Sequence, residues 1–261
     1  LYGKEGYRRM LILTAAVNLL VGICIGLTGI AGFLLPMFYT GFMGMPAVEA
    51  LALSFTAFLV SGVLGSVSYY KNGKLEVAAA AVLSIGSFAG ALAGVRINLL
   101  IPEEMIKIIL YVVVLLSGIS ILLRKESKEK TARRRNTGKN RSRWIGYLLL
   151  GAVTGAVCAA SGAGGPVLVM PLLTLMGFPP HTAVGMSLFN SIFIAVPSAA
   201  GYLANTDSMD HMAVMLAVIV ISHGIGVIFG SRNAVKINQT LLKRIVAAGS
   251  IGIACIKLFI V

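Results

Sequence analysis

Charge is what this chain has least of. Of its 261 residues 12% are Asp, Glu, Lys or Arg and 57% are hydrophobic, whereas soluble domains carry about 25% charged residues. That balance excludes a water-soluble globule. Carboxylates are scarcer still: the nine are Glu5, Glu49, Glu76, Glu103, Glu104, Glu126, Glu129, Asp207 and Asp210, all at the ends of apolar runs or between them. A carboxylate-rich cation site and a relay of buried carboxylates are therefore not expected. Cys24, Cys158 and Cys255 lie apart in apolar runs without metal-ligand spacing, so neither a metal site nor a disulfide is implied. Histidine is limited to His181, His211 and His223. With no HExxH, CxxC, nucleophile elbow or His/Asp pair, the chain is not expected to be an enzyme or to hold a cofactor.

Positive charge is abundant but confined. Ten of the 22 Lys and Arg lie between Arg124 and Arg143, and they dominate the net charge of +13. One short cluster between apolar runs is not the basic face of a folded nucleic-acid-binding domain. It is what the positive-inside rule expects of a cytoplasmic loop, with anionic lipid as a further contact. The chain thus divides into a first transmembrane unit, 1–123, a basic cytoplasmic linker, 124–143, and a second transmembrane unit, 144–261. A multi-pass protein of the cell membrane follows, with the lipid bilayer as partner. The first apolar run lacks the short length and cleavage flank of a signal peptide and reads as part of the fold.

Eight apolar segments can be counted, giving an all-α polytopic fold. The first, Leu11 to Phe42, would be about 48 Å long as one helix, against a hydrocarbon layer of about 30 Å. It must break, and the glycines from Gly26 to Gly32 mark the place. The fifth, Ile145 to Met176, is overlong in the same way and carries SGAGGPVLVMP from Ser161 to Pro171. Pro46 and Pro179 open the segments that follow, where a missing N–H is harmless. Gly86, Gly90 and Gly94 form a stripe of small residues suited to close helix contact.

The two broken segments belong to a repeated pattern. Adding 133 carries Gly29 and Gly32 to Gly162 and Gly165, Gly44 and Pro46 to Gly177 and Pro179, Ser54 to Ser187, and Tyr69/Asn72 to Tyr202/Asn205. An offset of 136 then carries Gly90, Gly94 and Arg96 to Gly226, Gly230 and Arg232. If every segment crosses the membrane, the two copies are parallel. If each overlong segment is a hairpin that returns to its own side, an odd number of spans inverts the second copy. The hairpin arrangement places Asp207 and Asp210 outside and the Arg232–Arg244 group inside; the other places Lys4, Arg8 and Arg9 inside. Inversion is the commoner transporter solution and is preferred.

Non-helical backbone at membrane depth is tolerated only where protein buries it or it lines a polar cavity. Matched breaks in two halves point to a central site, and the N-terminal end of a broken helix favours an anion. Tight packing alone would explain the glycines but not the overlong segments or the flanking Pro36, Pro166 and Pro171. Candidate ligand-binding residues are therefore Gly29, Gly32, Gly162, Gly164 and Gly165, with hydroxyls from Thr28 and Ser161. Ser54, Ser187 and Asn190, in the helices that follow, can add side-chain donors. A serine bonded to its own helix carbonyl is the competing reading. Glu49, Arg96, His223 and Arg232 are candidates for gating or coupling, set against helix capping for Glu49 and snorkelling for the arginines.

These stretches also resemble a known family. GLTGIAGFLLP…GMPAVEALALS in the first half, GAVCAASGAGGPVLVMP…GFPPHTAVGMSL in the second, and the GxxxG-x-R elements at Gly90–Arg96 and Gly226–Arg232 are similar to the sulfite exporter TauE/SafE family. The resemblance implies a transporter of small sulfur-containing anions, sulfite or organosulfonates, with export the expected direction and function on Gly162, Gly164, Gly165 and Ser187. The first copy departs from the pattern, with Ile30 and Ala31 at small-residue positions and Phe33 opposite Pro166. A small-anion channel and a non-transporting scaffold subunit are the alternatives. A channel would hold one conformation open to both sides, and a scaffold would not need matched breaks.

Overall fold

Each helix boundary has a local cause. Pro46 and Pro179, at φ/ψ near −52/144 and −55/144, cap α3 (Ala47–Lys71) and α8 (Pro180–Leu203). Glu103 and Glu104 stand in the first turn of α5 (Glu103–Leu123), where carboxylates suit the helix dipole. The remaining helices are α1 (Lys4–Thr28), α2 (Leu34–Gly41), α4 (Val77–Leu99), α6 (Arg141–Ser161), α7 (Gly165–Leu175) and α9 (Met209–Asn233), with a 3-10 turn at Ala31–Phe33 before α2. The computed structural model describes residues 4–29, 31–123, 141–206, 209–233, 248 and 251–256. Most of the basic linker, Asp207 and most of the eighth apolar segment lie outside them.

Among the described residues six stretches are long and apolar enough to cross a bilayer: Arg8–Thr28, Ala47–Lys71, Val77–Leu99, Arg143–Ser161, Pro180–Leu203 and Met212–Asn233. The protein is thus an all-α polytopic membrane protein. The overlong segments each divide, 11–42 into α1, the 3-10 turn and α2, and 145–176 into α6 and α7. Both fold back on themselves. Asn18 Nδ2 donates to the Tyr39 hydroxyl at 2.7 Å, and the Thr14 hydroxyl reaches Met43 Sδ at 3.7 Å, so α2 runs antiparallel to α1. In the later hairpin the rings of Tyr147 and Phe178 lie 6.2 Å apart. The residue numbers in each pair centre on the break: 57 halves to 28.5, and 325 to 162.5.

The centre of the bundle is the antiparallel pair α3 and α8. A methyl added at Gly62 would lie 2.8 Å from Ile192, one at Gly65 2.9 Å from Leu188, and one at Gly185 3.0 Å from Tyr69. Around it stand two parallel pairs, α4 with α6 and α1 with α9. In the first of these Gly86 meets Leu148, Gly90 meets Ala152 and Gly94 meets Ala156, backbone on backbone at a constant offset of 62. Asn98 continues the ladder, donating to the Ala160 carbonyl at 2.6 Å. The outer faces are aliphatic, with Ile12 and Leu20 on α1, Ile85 and Leu92 on α4, Leu149 and Val153 on α6, and Ile221 and Ile225 on α9 all exposed. That suits lipid contact rather than water.

Replacing Gly90 tests this ladder. A Cβ there would run into the Ala152 carbonyl oxygen, and backbone cannot move as a side chain can. Gly90→Leu should lower the midpoint of thermal unfolding in detergent, with a loss of about 1–3 kcal/mol. Gly146→Leu is the control, since nothing lies within 4 Å of its Cβ position.

Candidate functional site at the paired helix breaks

The two breaks are built alike. α1 stops at Thr28 and Gly29 takes φ 74; α6 stops at Ser161 and Gly162 takes φ 70, a left-handed conformation that costs glycine nothing. In each the glycine N–H closes the preceding helix, on Ile25 at 2.7 Å and on Cys158 at 2.9 Å. They then diverge. The first passes into the 3-10 turn Ala31–Phe33, whereas the second takes another left-handed step at Gly164 (φ 69, ψ 137) and starts α7 at once. Gly164 is the N-cap residue and no side chain caps the helix. Neither Ala163 nor Gly164 donates a hydrogen bond within the described residues, although both are buried. Such bare main-chain donors are rare in protein interiors.

The breaks meet, and they do so reciprocally. A methyl at Gly29 would lie 3.0 Å from Val184 in α8 and 3.8 Å from Pro166 of the second break. One at Gly162 would run into Leu51 in α3 and lie 3.4 Å from Pro36 of α2. Leu51 and Val184 are themselves 133 positions apart. Within its own half Gly32 faces Phe58 at 2.9 Å, and Gly165 faces Ser191 at 3.1 Å, again an equivalent pair. The Phe58 ring carries a further contact: Gly164 faces its other edge at 3.3 Å. One aromatic ring therefore lies between Gly32 of the first break and Gly164 of the second. Sequence reading missed Leu51, Phe58, Val184 and Ser191, since the offset of 133 pairs every position alike and these pairs do not share a residue type.

The predicted polar side chains divide into two groups. Ser54 donates to the Ala50 carbonyl at 2.7 Å, Ser187 to Val184 at 2.9 Å, Ser161 to Val157 at 2.6 Å and Thr28 to Cys24 at 2.8 Å, each within its own helix. Each hydroxyl proton is thus taken up by a main-chain carbonyl of the residue's own helix. Asn190 is different. It is fully buried beside Ser191, and neither its Nδ2 nor its Oδ1 has a partner. Arg96 and Arg232 are exposed in the last turns of α4 and α9, and Glu49 is half-buried in the first turn of α3. None of these three lies at the breaks. His223 is fully buried in α9 against α1. No group of three or more potential metal ligands occurs among the described residues.

The chain matches the family model described as "Sulfite exporter TauE/SafE" over residues 13–257. It is 26% identical over 215 residues to "Probable membrane transporter protein YdhB" of Bacillus subtilis (strain 168), covering 80% of this chain and 84% of that protein. It is 27% identical over 100 residues to "Probable membrane transporter protein MJ0441" of Methanocaldococcus jannaschii, covering 36% of each. No solved structure matches.

Proposed function

The chain belongs to the sulfite exporter TauE/SafE family, and from that premise we propose that it is a secondary transporter of small anions, sulfite or an organosulfonate, working in the export direction. The observation that carries this reading is the pair of buried, unbonded amides at Ala163 and Gly164 at the start of α7, one residue deep in a break that touches its counterpart. Main-chain N–H groups at a helix N-terminus are donors without side-chain bulk, and the helix dipole adds partial positive charge. An oxyanion needs donors only, and Asn190 Nδ2 supplies another from α8.

Alternating access follows from an inverted repeat. The antiparallel run of α3 against α8, which are equivalent by the offset of 133, is what a two-fold axis in the membrane plane produces; an axis along the membrane normal would leave equivalent helices parallel. With the basic linker inside, the turn at Asp207 is then outside. A cysteine placed at Ser208 should react with a membrane-impermeant maleimide in intact cells, and one at Thr137 only after lysis. The reverse pattern at Ser208 would restore the parallel arrangement. One half rocking on the other would open the closed centre first to one side and then to the other.

The test of function is flux in proteoliposomes across sulfite, sulfoacetate, acetate and phosphate. Sulfite or sulfoacetate is expected to exchange at least tenfold faster than phosphate or acetate. Equal rates for all four, or flux at single-channel conductance, would overturn the reading.

A further inference from the structure

His223 stands midway along its span, eleven residues from Met212 and ten from Asn233. It is fully buried. Its Nδ1 lies 3.2 Å from the Asn18 main-chain oxygen. A carbonyl can only accept, so Nδ1 carries the hydrogen and Nε2 presents a lone pair. That nitrogen has no partner, and neither has Asn18 Oδ1. The Asn18 amide donates to the Thr14 carbonyl at 2.9 Å and to the Tyr39 hydroxyl at 2.7 Å. One polar cluster thus ties α9 to both arms of the first hairpin, and it leaves two acceptors without a donor.

The other half tells why a histidine is not required for packing. The equivalents of His223 and Asn18, by offsets 136 and 133, are Ser87 and Gly151. The Ser87 hydroxyl donates to the Gly151 carbonyl at 3.1 Å. The same inter-helix bond is therefore made by a serine there. What the imidazole adds is a second nitrogen. The surroundings hold no rival charge: α1 brings Lys4, Glu5, Tyr7, Arg8 and Arg9 only near its start and the Cys24 thiol near its end, α2 brings the Tyr39 phenol, and α3, packed on α9 through Val60 and Leu64, has Glu49, Tyr69, Tyr70 and Lys71 near its ends. On α9 itself Asp210 and His211 stand at the start and Arg232 in the last turn.

We infer that His223 Nε2 is the proton-binding site of this transporter and that the chain moves one proton with each anion. The inference rests on the anion-transport reading above. The proton binds the Nε2 lone pair on one side of the membrane and leaves to the other, while Nδ1–H stays on the Asn18 carbonyl. Gly22 packs directly on His223, and Gly29 lies seven residues on, about 10 Å along α1. At that range an imidazolium raises anion affinity on the order of tenfold, taking an effective dielectric of about 20. Proton and monoanion then favour each other's binding, and the loaded carrier moves no net charge.

The experiment uses the full chain in proteoliposomes with a pH-sensitive dye inside and methanesulfonate as probe, a strong-acid anion that carries no proton itself. An imposed methanesulfonate gradient is expected to drive protons in the same direction at one per anion. His223→Ser, which copies Ser87, should abolish the proton signal while methanesulfonate exchange persists, slowed by up to about tenfold as the imidazolium's contribution to anion affinity is lost. His223→Gln should do the same, so that a folding defect in one variant does not decide the matter. Anion flux without proton flux in the unaltered protein overturns the coupling and leaves the transport reading standing. Proton movement that survives in both variants also overturns it. Absence of any anion flux in the unaltered protein removes both.

Discussion

Gly164→Leu is expected to reduce anion flux about a hundredfold while the protein still elutes as a single folded species in detergent. Two effects combine. At φ 69 and ψ 137 a side chain is strained by about 1–3 kcal/mol, and relief would rotate the peptide whose N–H is bare. Losing one main-chain donor to an anion costs a further 1.5–3 kcal/mol or so. Together they come to about 2.5–6 kcal/mol, against the ~2.8 kcal/mol that corresponds to a hundredfold. The Cβ would also lie 3.3 Å from the Phe58 ring, pressing on the ring that Gly32 of the first break faces. Gly164→Ala should show the strain with less crowding and lose roughly tenfold. Gly177→Ala is the control, because it shares a left-handed φ of 88 but has nothing within 4 Å. If Gly164→Leu transports as fast as the unaltered chain, α7 does not hold the anion.

Asn190→Leu is expected to separate stability from function by moving them in opposite directions. Both amide atoms of Asn190 are buried and unbonded, and a buried orphan costs about 1–3 kcal/mol. Leucine branches at the same carbon and has no polar atom, with somewhat greater bulk to accommodate. The unliganded variant should therefore unfold at a higher temperature, by an amount equivalent to about 1–3 kcal/mol. Flux should fall about tenfold or more, since the acceptor that would satisfy the Nδ2–H is the anion itself. Retaining a group that destabilises the empty protein is the usual mark of a working site. A structural asparagine would behave otherwise: Asn98, whose amide donates to Ala160 at 2.6 Å, should lose stability when changed to leucine and transport normally once folded. If Asn190→Leu destabilises the protein and leaves flux unchanged, Asn190 is a packing residue.

The places where helices stop could be read from the chain because they depend on local chemistry. A run of thirty-two apolar residues is too long for a bilayer, and Gly29 and Gly162 supply the left-handed step that ends a helix. Pro46 and Pro179 start the next. The serine hydroxyls follow the competing reading for an equally local reason. A hydroxyl in a long apolar helix has its own carbonyl three or four residues back, within 3 Å in both Ser54 and Ser187, and no pattern in the residues marks which serine will look elsewhere. Asn190 differs from Asn18, whose amide does bond the carbonyl four residues back, in that both of its amide atoms are unbonded.

Composition alone determined that the chain lives in a membrane, because 57% hydrophobic residues cannot be buried in a protein of this size. It also determined where the backbone departs from helix, because glycine conformation and proline's missing donor act over a few residues. Only the tertiary structure decided that α4 lies along α6 and α1 along α9, that each broken segment folds back, and that the two breaks meet across Phe58. In lipid the outward and inward faces of a helix are both apolar, so hydrophobic periodicity no longer tells them apart. The choice falls to close contacts between backbones and to single hydrogen bonds such as His223 to Asn18, between residues that the chain holds 205 positions apart.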